Sequence, residues 1–234
     1  MEHPMYFQHS PEIWSDFPEL AAGALFADGI TPDVSVEDRV AEFAAVAAGR
    51  LTGTSEGQLP EIQAWRRAFS RMGLKPTQYR CASESLLRRF KKEQALPRIH
   101  PLVDLCNAMS IAFAIPVAVF DVARIAAHVE VRYARGDESY QNFSGEIENP
   151  EQHEVVFVDE AGNAHARRWT NRQSGLSAVQ DSTSGVLIVA EAMHESAAAD
   201  VERLTATIAD ELSAAWSRKP AATVLTPSTP RFEF

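Results

Sequence analysis

Three small polar residues, Asp104, Asn107 and Ser110, interrupt the apolar run "LVDLCNAMS" at a spacing of three. On a helix, residues three apart lie about 60° apart around the axis, so the three form one polar stripe. A stripe set in apolar sequence must find partners. It either braces the backbone of a neighbouring element or lines a pocket. Other residues capable of chemistry show no pattern of this kind. Cys81 and Cys106 belong to no CxxC pair, and no two histidines stand at i, i+2 or i, i+4. That spacing predicts no metal site, and the lack of a Walker A loop or a GxGxxG predicts no nucleotide cofactor. Cys106, inside the apolar run, reads as core rather than nucleophile. His165 stands on a strand beside Arg167 and reads as structural or surface, although a site is within its reach. Trp65 and Trp169 read as core or rim.

Charge supplies the second signal. The net charge of −10 hides an uneven distribution. Residues 66–98 carry ten basic side chains against Glu84 and Glu93, a local +8, which leaves −18 for the rest of the chain. Lys75, Arg80, Arg88, Arg89, Lys91 and Lys92 form the densest part. Two readings of this segment stay open: a footprint for a polyanion such as RNA, or a solvated helical face that balances an acidic body.

The elements that must position these groups follow from periodicity and caps. "MYFQHS" predicts a strand, and residues 1–34 are expected to wrap the core. "SVEDRVAEFAAVAAGRL" predicts a helix capped by Ser35 with acids in its first turn. "PEIQAWRRAFSRMG" predicts a second, opened by Pro60 and stopped by Gly73. "SESLLRRFKKE" predicts a third, capped by Ser83. Pro101 opens the helix that carries the polar stripe, and Pro116 is expected to end it. "VAVF", "HVEVRYA", the two halves of "HEVVFVDEAGNAHARRW" and "GVLIVAEAM" predict strands, with "DVARI" a short helical turn. "SAAADVERLTATIADELSAAW" predicts a long helix. Residues 219–234, with three prolines and few apolar side chains, are expected to be disordered. Helices first, strands second and a closing helix predict one α+β domain over 1–218 rather than a doubly wound sheet. The 234-residue length suffices for a substantial core. No apolar stretch reaches the roughly 18 residues of a membrane span. The start "MEHPMYFQHS" lacks the features of a signal peptide. With two cysteines, these features lead us to expect a reduced cytoplasm.

Four ordered motifs carry a family resemblance: VD-x-x-N at 103–107, P-x-x-x-F-D at 116–121, V-R-x-A-x-x-x-E at 131–138 and V-D-x-x-G at 158–162. From about Trp65 to about Met193 the chain resembles the B3/B4 domain of the bacterial phenylalanyl-tRNA synthetase β subunit. It is nearer still to the free-standing solo B3/4 proteins. In the synthetase this domain hydrolyses tyrosine wrongly esterified to the tRNA for phenylalanine. The resemblance implies a pocket near the 107–121 and 157–183 segments. It implies Asn107, Asp121, Asp159 and Thr183 as substrate-binding residues, and our own reading of the residues adds Ser110, from the polar stripe, and Glu191. It places Asn171, Arg172 and Gln173 on the catalytic wall. Ester hydrolysis also needs a polar grip on the substrate amine, for which the chain offers Asp159 or Glu191. The chain departs from the synthetase pattern at Ala118, where a histidine is expected, at "RRWTNRQ", where the wall is glycine-rich, and at Ala178, where a glutamate is expected. The Asn-Arg-Gln wall is shared with the solo proteins.

The function this implies is a trans-acting aminoacyl-tRNA deacylase without synthetase activity, with tRNA or aminoacyl-tRNA as partner and neither cofactor nor membrane. Two alternatives stand beside it. One is an RNA-binding module that kept the fold and lost the chemistry. The other is a protein that binds or hydrolyses a free amino-acid derivative.

Overall fold

Caps and alternation place most elements where the chain forms them. The computed structural model describes residues 4–234. Strand β1 (Tyr6–His9), helix α1 (Pro11–Asp16) and strand β2 (Ala21–Ala27) lead into helices α2 (Glu37–Arg50), α3 (Pro60–Arg71), α4 (Ala82–Glu93) and α5 (Pro101–Phe113). Strands β3 (Val117–Asp121), β4 (His128–Tyr133), β5 (Tyr140–Gln141), β6 (Ile147–Glu148) and β7 (Val155–Val158) follow. Then come β8 (Ala164–Arg167), β9 (Arg172–Gln173), β10 (Val186–Ala192), the long helix α6 (Ala197–Trp216), β11 (Ala221–Leu225) and β12 (Arg231–Glu233).

The strands build a six-stranded sheet in the order β12-β1-β4-β7-β8-β9 and a four-stranded sheet in the order β11-β2-β10-β3, with β5-β6 as a separate hairpin. β1 and β4 pair in parallel and the other named pairs are antiparallel. The fold is α+β, as expected, with helices flanking the sheets. One core joins the sheets to α3 and α4 through Phe157, Leu187, Val189, Trp65 and Leu87. A second lies between the small sheet and helices α5 and α6, around Ile188, Met109 and Leu204. Strand β10 feeds both, because alternate residues point to opposite faces.

Several expectations need correction. The 219–234 tail is ordered as strand: β11 pairs with β2 and β12 with β1. Leu225 and Phe232 are buried, and the Phe234 ring stacks on Phe26 with centroids 4.9 Å apart. The tail's prolines flank the strands without interrupting them, where a missing N–H does no harm. Strand β2 lies inside the segment expected only to wrap the core. Val36 and Cys81, not Ser35 and Ser83, occupy the N-cap positions of α2 and α4. Ala114, in left-handed backbone at φ 57°, ends α5 before Pro116 is reached. Gly73, at φ 75°, follows the end of α3 as expected.

The polar stripe on α5 is mostly a brace. Asp104 accepts a hydrogen bond from the Ile99 N–H at 2.8 Å, holding the entry to the helix. Ser110 donates to the Ile115 carbonyl at 2.6 Å, holding its exit. Asn107 lies half-buried between them.

Candidate functional site

A cleft opens where the end of the large sheet meets the β3 edge of the small one. It is small, with an internal volume of about 60 Å³, and it opens to solvent at its mouth. Pro116, Val117 and Ala118 form one side, and Phe157, Ala166 and Val189 the apolar floor. The segment Trp169–Gln173 forms the other wall, Ala82 at the start of α4 stands at the rim, and Glu191 is the one carboxylate on the surface. Sequence reasoning placed Asn171, Arg172, Gln173 and Glu191 together, and all four line this cleft. Ala118 lines it too, at the position where the resemblance led us to expect a histidine.

The wall is held by its own amides. Asn171 Nδ2 donates to the Arg80 carbonyl at 2.7 Å, and Gln173 Nε2 donates to the Val119 carbonyl at 2.6 Å. Arg172 is the freer group. Its side chain is 43% exposed and lies 3.7 Å from Glu148, with its guanidinium carbon 5.5 Å from the Tyr140 ring. The wall turns through Arg168 and Trp169, both in left-handed backbone at φ 48° and 57°. Each such residue costs on the order of 1–3 kcal/mol. Burial of the Trp169 indole offsets that cost, edge-on to Trp65 and Phe17 at 5.2 and 4.8 Å.

Glu191 belongs to a cluster that sequence reasoning missed. Trp169 Nε1 lies 3.1 Å from both of its oxygens, and His9 Nε2 lies 2.6 Å from Oε1. The Thr170 hydroxyl, on the cleft surface, has a buried oxygen with no hydrogen-bond partner among the described residues. One signal was present in the sequence. The alternation of β10 puts Glu191 on the same face as Leu187 and Val189, an acid in a buried register. Nothing in the sequence announced His9, 182 residues away.

The remaining predicted site residues do not reach this cleft. Asp121 accepts from the Ala123 N–H at 3.0 Å and from the Thr183 hydroxyl at 2.9 Å, bracing the turn before β10. Asp159 accepts from the Ala126 and Asn163 N–H groups at 3.1 and 2.8 Å. Its Oδ2 also lies 3.3 Å from His165 Nε2, while His165 Nδ1 lies 2.8 Å from the Ser177 hydroxyl. Burial would raise the Asp159 pKa, but the His165, Asn163 and Ala126 donors outweigh it and hold the carboxyl far below the usual range. The Ser177–His165–Asp159 chain has the composition of a nucleophilic triad. Ser177 is fully buried and does not border the cleft, so the chain ties the turn after β7 to the loop before β10. Asn107 and Ser110 remain on α5.

A GxSxG string that sequence reasoning missed spans Gly53 to Gly57. Ser55 there follows a helix and not a strand. Its hydroxyl lies 3.0 Å from Gln58 Oε1 in a capping arrangement, so it is no nucleophile elbow. Burial pushes the Cys81 and Cys106 thiols up to about 12, which makes both inert. Glu61, His194 and Asp200 converge as a possible ligand set. Arg50 and Arg203 already answer the two carboxylates at 2.6 Å each, so a divalent cation would bring excess positive charge.

The basic segment is less free than its sequence suggests. Arg66 and Arg80 both reach the fully buried Glu84, at 2.6 and 3.4 Å. Arg88 pairs with Glu56 at 2.8 Å, Arg89 with Glu93 at 2.9 Å and Arg98 with Glu37 at 3.4 Å. Arg71 pairs with Glu19. Among the described residues no acid pairs with Arg67, Lys75, Lys91 or Lys92, all exposed. The segment also meets the cleft. Arg80 holds Asn171, and the Ala82 N–H donates to the Thr170 carbonyl at 2.8 Å.

This is an α+β domain with an apolar cleft between two sheets, walled by amides and holding one carboxylate. A model of the B3/4 domain family matches residues 64–224, and the chain belongs to that family. The match runs beyond Met193, through α6 into β11. β1 and β2, which complete the two sheets, precede it. Among solved structures, the chain is similar to an N-terminal fragment of the phenylalanyl-tRNA synthetase beta-subunit from Pyrococcus horikoshii. The likeness covers 92% of this chain and 49% of that one, at 10% identity and a TM-score of 0.48. The chain thus spans about half the length of that fragment. A search of curated proteins finds no match. Among the described residues no helix is long and apolar enough to cross a membrane.

Proposed function

We propose that this protein is a trans-editing aminoacyl-tRNA deacylase, hydrolysing the ester of a mischarged tRNA without synthetase activity. One observation carries the reading. The cleft wall and the basic segment are physically joined, by Asn171 to Arg80 and by Thr170 to Ala82. An acyl ester in the cleft would place the tRNA's phosphates near Arg67, Lys75, Lys91 and Lys92, the cations of the α3–α4 region that no acid pairs with among the described residues. Arg172 is the wall's available donor for the developing oxyanion. Ala118 stands where the resemblance places a histidine, so activation of water falls to the terminal ribose hydroxyl of the substrate. The apolar floor, with Phe157 and Val189, suits a small uncharged amino-acid side chain.

A second reading, binding of aminoacyl-tRNA without hydrolysis, is favoured by one specific observation. Asn171 and Gln173 already donate to backbone carbonyls and are not ready oxyanion donors. A panel of mischarged tRNAs decides between the two. Deacylation above the uncatalysed rate for at least one member supports the first reading. Tight, salt-sensitive binding with no deacylation supports the second. Neither binding nor hydrolysis defeats both.

A further inference from the structure

Glu191 is a buried carboxylate with no Lys or Arg partner among the described residues. It is 2% exposed and lines the cleft. Its partners, Trp169 and His9, are both ring N–H donors. The other nitrogen of His9, Nδ1, is buried with no partner among the described residues. A proton there would leave an orphaned N–H, whereas a bare lone pair among Phe7 and Trp14 costs less. The network therefore places a His9 proton on Nε2, facing the carboxylate. Two ring N–H donors, from His9 and Trp169, orient the carboxylate. Among the described residues no Lys or Arg lies within ion-pair distance of it. Arg172, on the same cleft, is turned toward Tyr140 and Glu148. Carboxylates are rarely buried unless paired.

We infer that the cleft binds the ammonium group of a primary amine, with Glu191 as its counter-charge. The Thr170 hydroxyl, buried and unpartnered on the same surface, supplies a second acceptor. Val117, Phe157 and Val189 receive an apolar body attached to the amine. His9 and Trp169 are positioning residues. His9 comes from β1, outside the stretch matched by the family model, so the segment before that domain completes the site. The inference rests on the same cleft as the deacylase reading and deepens it. It makes the substrate class an aminoacyl ester whose α-amino group is free, and it excludes N-acylated esters.

The test uses calorimetric titration of the full chain with two isosteric pairs at pH 7. These are 3-methylbutylamine against 3-methylbutanol, and 2-phenylethylamine against 2-phenylethanol. The amines should bind at least about tenfold more tightly than the alcohols, the scale of a charge-assisted bond. Glu191→Gln should erase the preference, and His9→Phe should reduce it while leaving alcohol binding in place. Equal affinity for amine and alcohol overturns the inference, as does absence of amine binding at millimolar concentration. Retention of the preference by a folded Glu191→Gln also overturns it. Should that variant fail to fold, the wild-type comparison alone decides. Failures of the two readings are distinguishable. Amine binding without deacylation of any tRNA defeats only the deacylase reading. Hydrolysis of N-acetyl-aminoacyl-tRNA as fast as the free-amine form defeats only the ammonium inference.

Discussion

Arg172 is the wall residue whose donors are not committed to the backbone, and its chemistry can be separated from its packing. Arg172→Ala should lower single-turnover deacylation by about 1–3 kcal/mol of transition-state stabilisation. Thermal unfolding should hardly change, because the side chain is 43% exposed. Wild-type rates in this variant, on a tRNA that the parent clearly hydrolyses, would remove Arg172 from the chemistry. At this scale the site was partly legible. The Asn-Arg-Gln string was found from its place in an ordered series of motifs, and Glu191 stands out once the face of β10 is counted. His9 and the Asp159–His165–Ser177 chain were not legible, since their partners meet only through sheet pairing. Asp121 and Thr183 were misplaced for a related reason. Their polar groups satisfy a turn, and a sequence does not distinguish a polar residue that braces a turn from one that faces a ligand.

At the scale of elements, helices α3 and α4 combine two uses of charge. Arg66 and Arg80 serve Glu84, which is fully buried, so their substitution should destabilise the fold. Arg67, Lys91 and Lys92 have no such duty. Changing these three to Glu should weaken tRNA binding without lowering the unfolding temperature. The log–log salt slope should become shallower by about 0.7–0.9 per lost phosphate contact. Unchanged affinity would assign the segment's charge to solubility. Helix α6 makes a different demand on β2. A Cβ at Gly23 would lie 2.0 Å from the Thr205 hydroxyl oxygen, with Val201 at 3.2 Å. Gly23→Ala should therefore cost about 1–3 kcal/mol of stability, read by urea unfolding. Gly23→Ala with Thr205→Ala should recover part of it. Wild-type stability in the single variant would mean that the helix can shift. Strand β2 escaped sequence reasoning because "AAGALFA" has no β-branched residue and no alternation, being covered on both faces. Capped amphipathic helices such as α3 were legible because their signals are local.

For the whole molecule, acid and alkali should act through different groups. Asp159, Glu138 and Asp200 are buried enough to raise their pKa values. Hydrogen bonds from His165 and Asn163, from Arg135 and Arg132, and from Ser196 and His194 outweigh burial and lower all three. Their stabilisation is complete above the unfolded values near pH 4 and is lost as pH falls toward the native ones. Urea midpoints should thus fall steadily below about pH 4. The Cys81 and Cys106 thiols, raised by burial from 9.0 to about 12, act in the opposite sense. Their contribution is intact below 9.0 and declines as pH rises past it. A midpoint that stays flat from pH 7 down to 3 would contradict the carboxylate assignment.

The pairing of β12 with β1 bears on how this protein is made. Arg231 donates to the Gln8 side chain across 223 residues of sequence, and the Phe234 N–H donates to the Met5 carbonyl at 2.8 Å. During vectorial synthesis the outer edge of β1 waits, unpaired, until the chain has grown by the 223 residues that separate Gln8 from Arg231. An open edge of this kind is a template for pairing with a neighbouring chain, and closing so long a loop slows folding. His9 sits on that strand. On a polysome, completion of the cleft's anionic anchor and protection from intermolecular pairing therefore wait on the same late event.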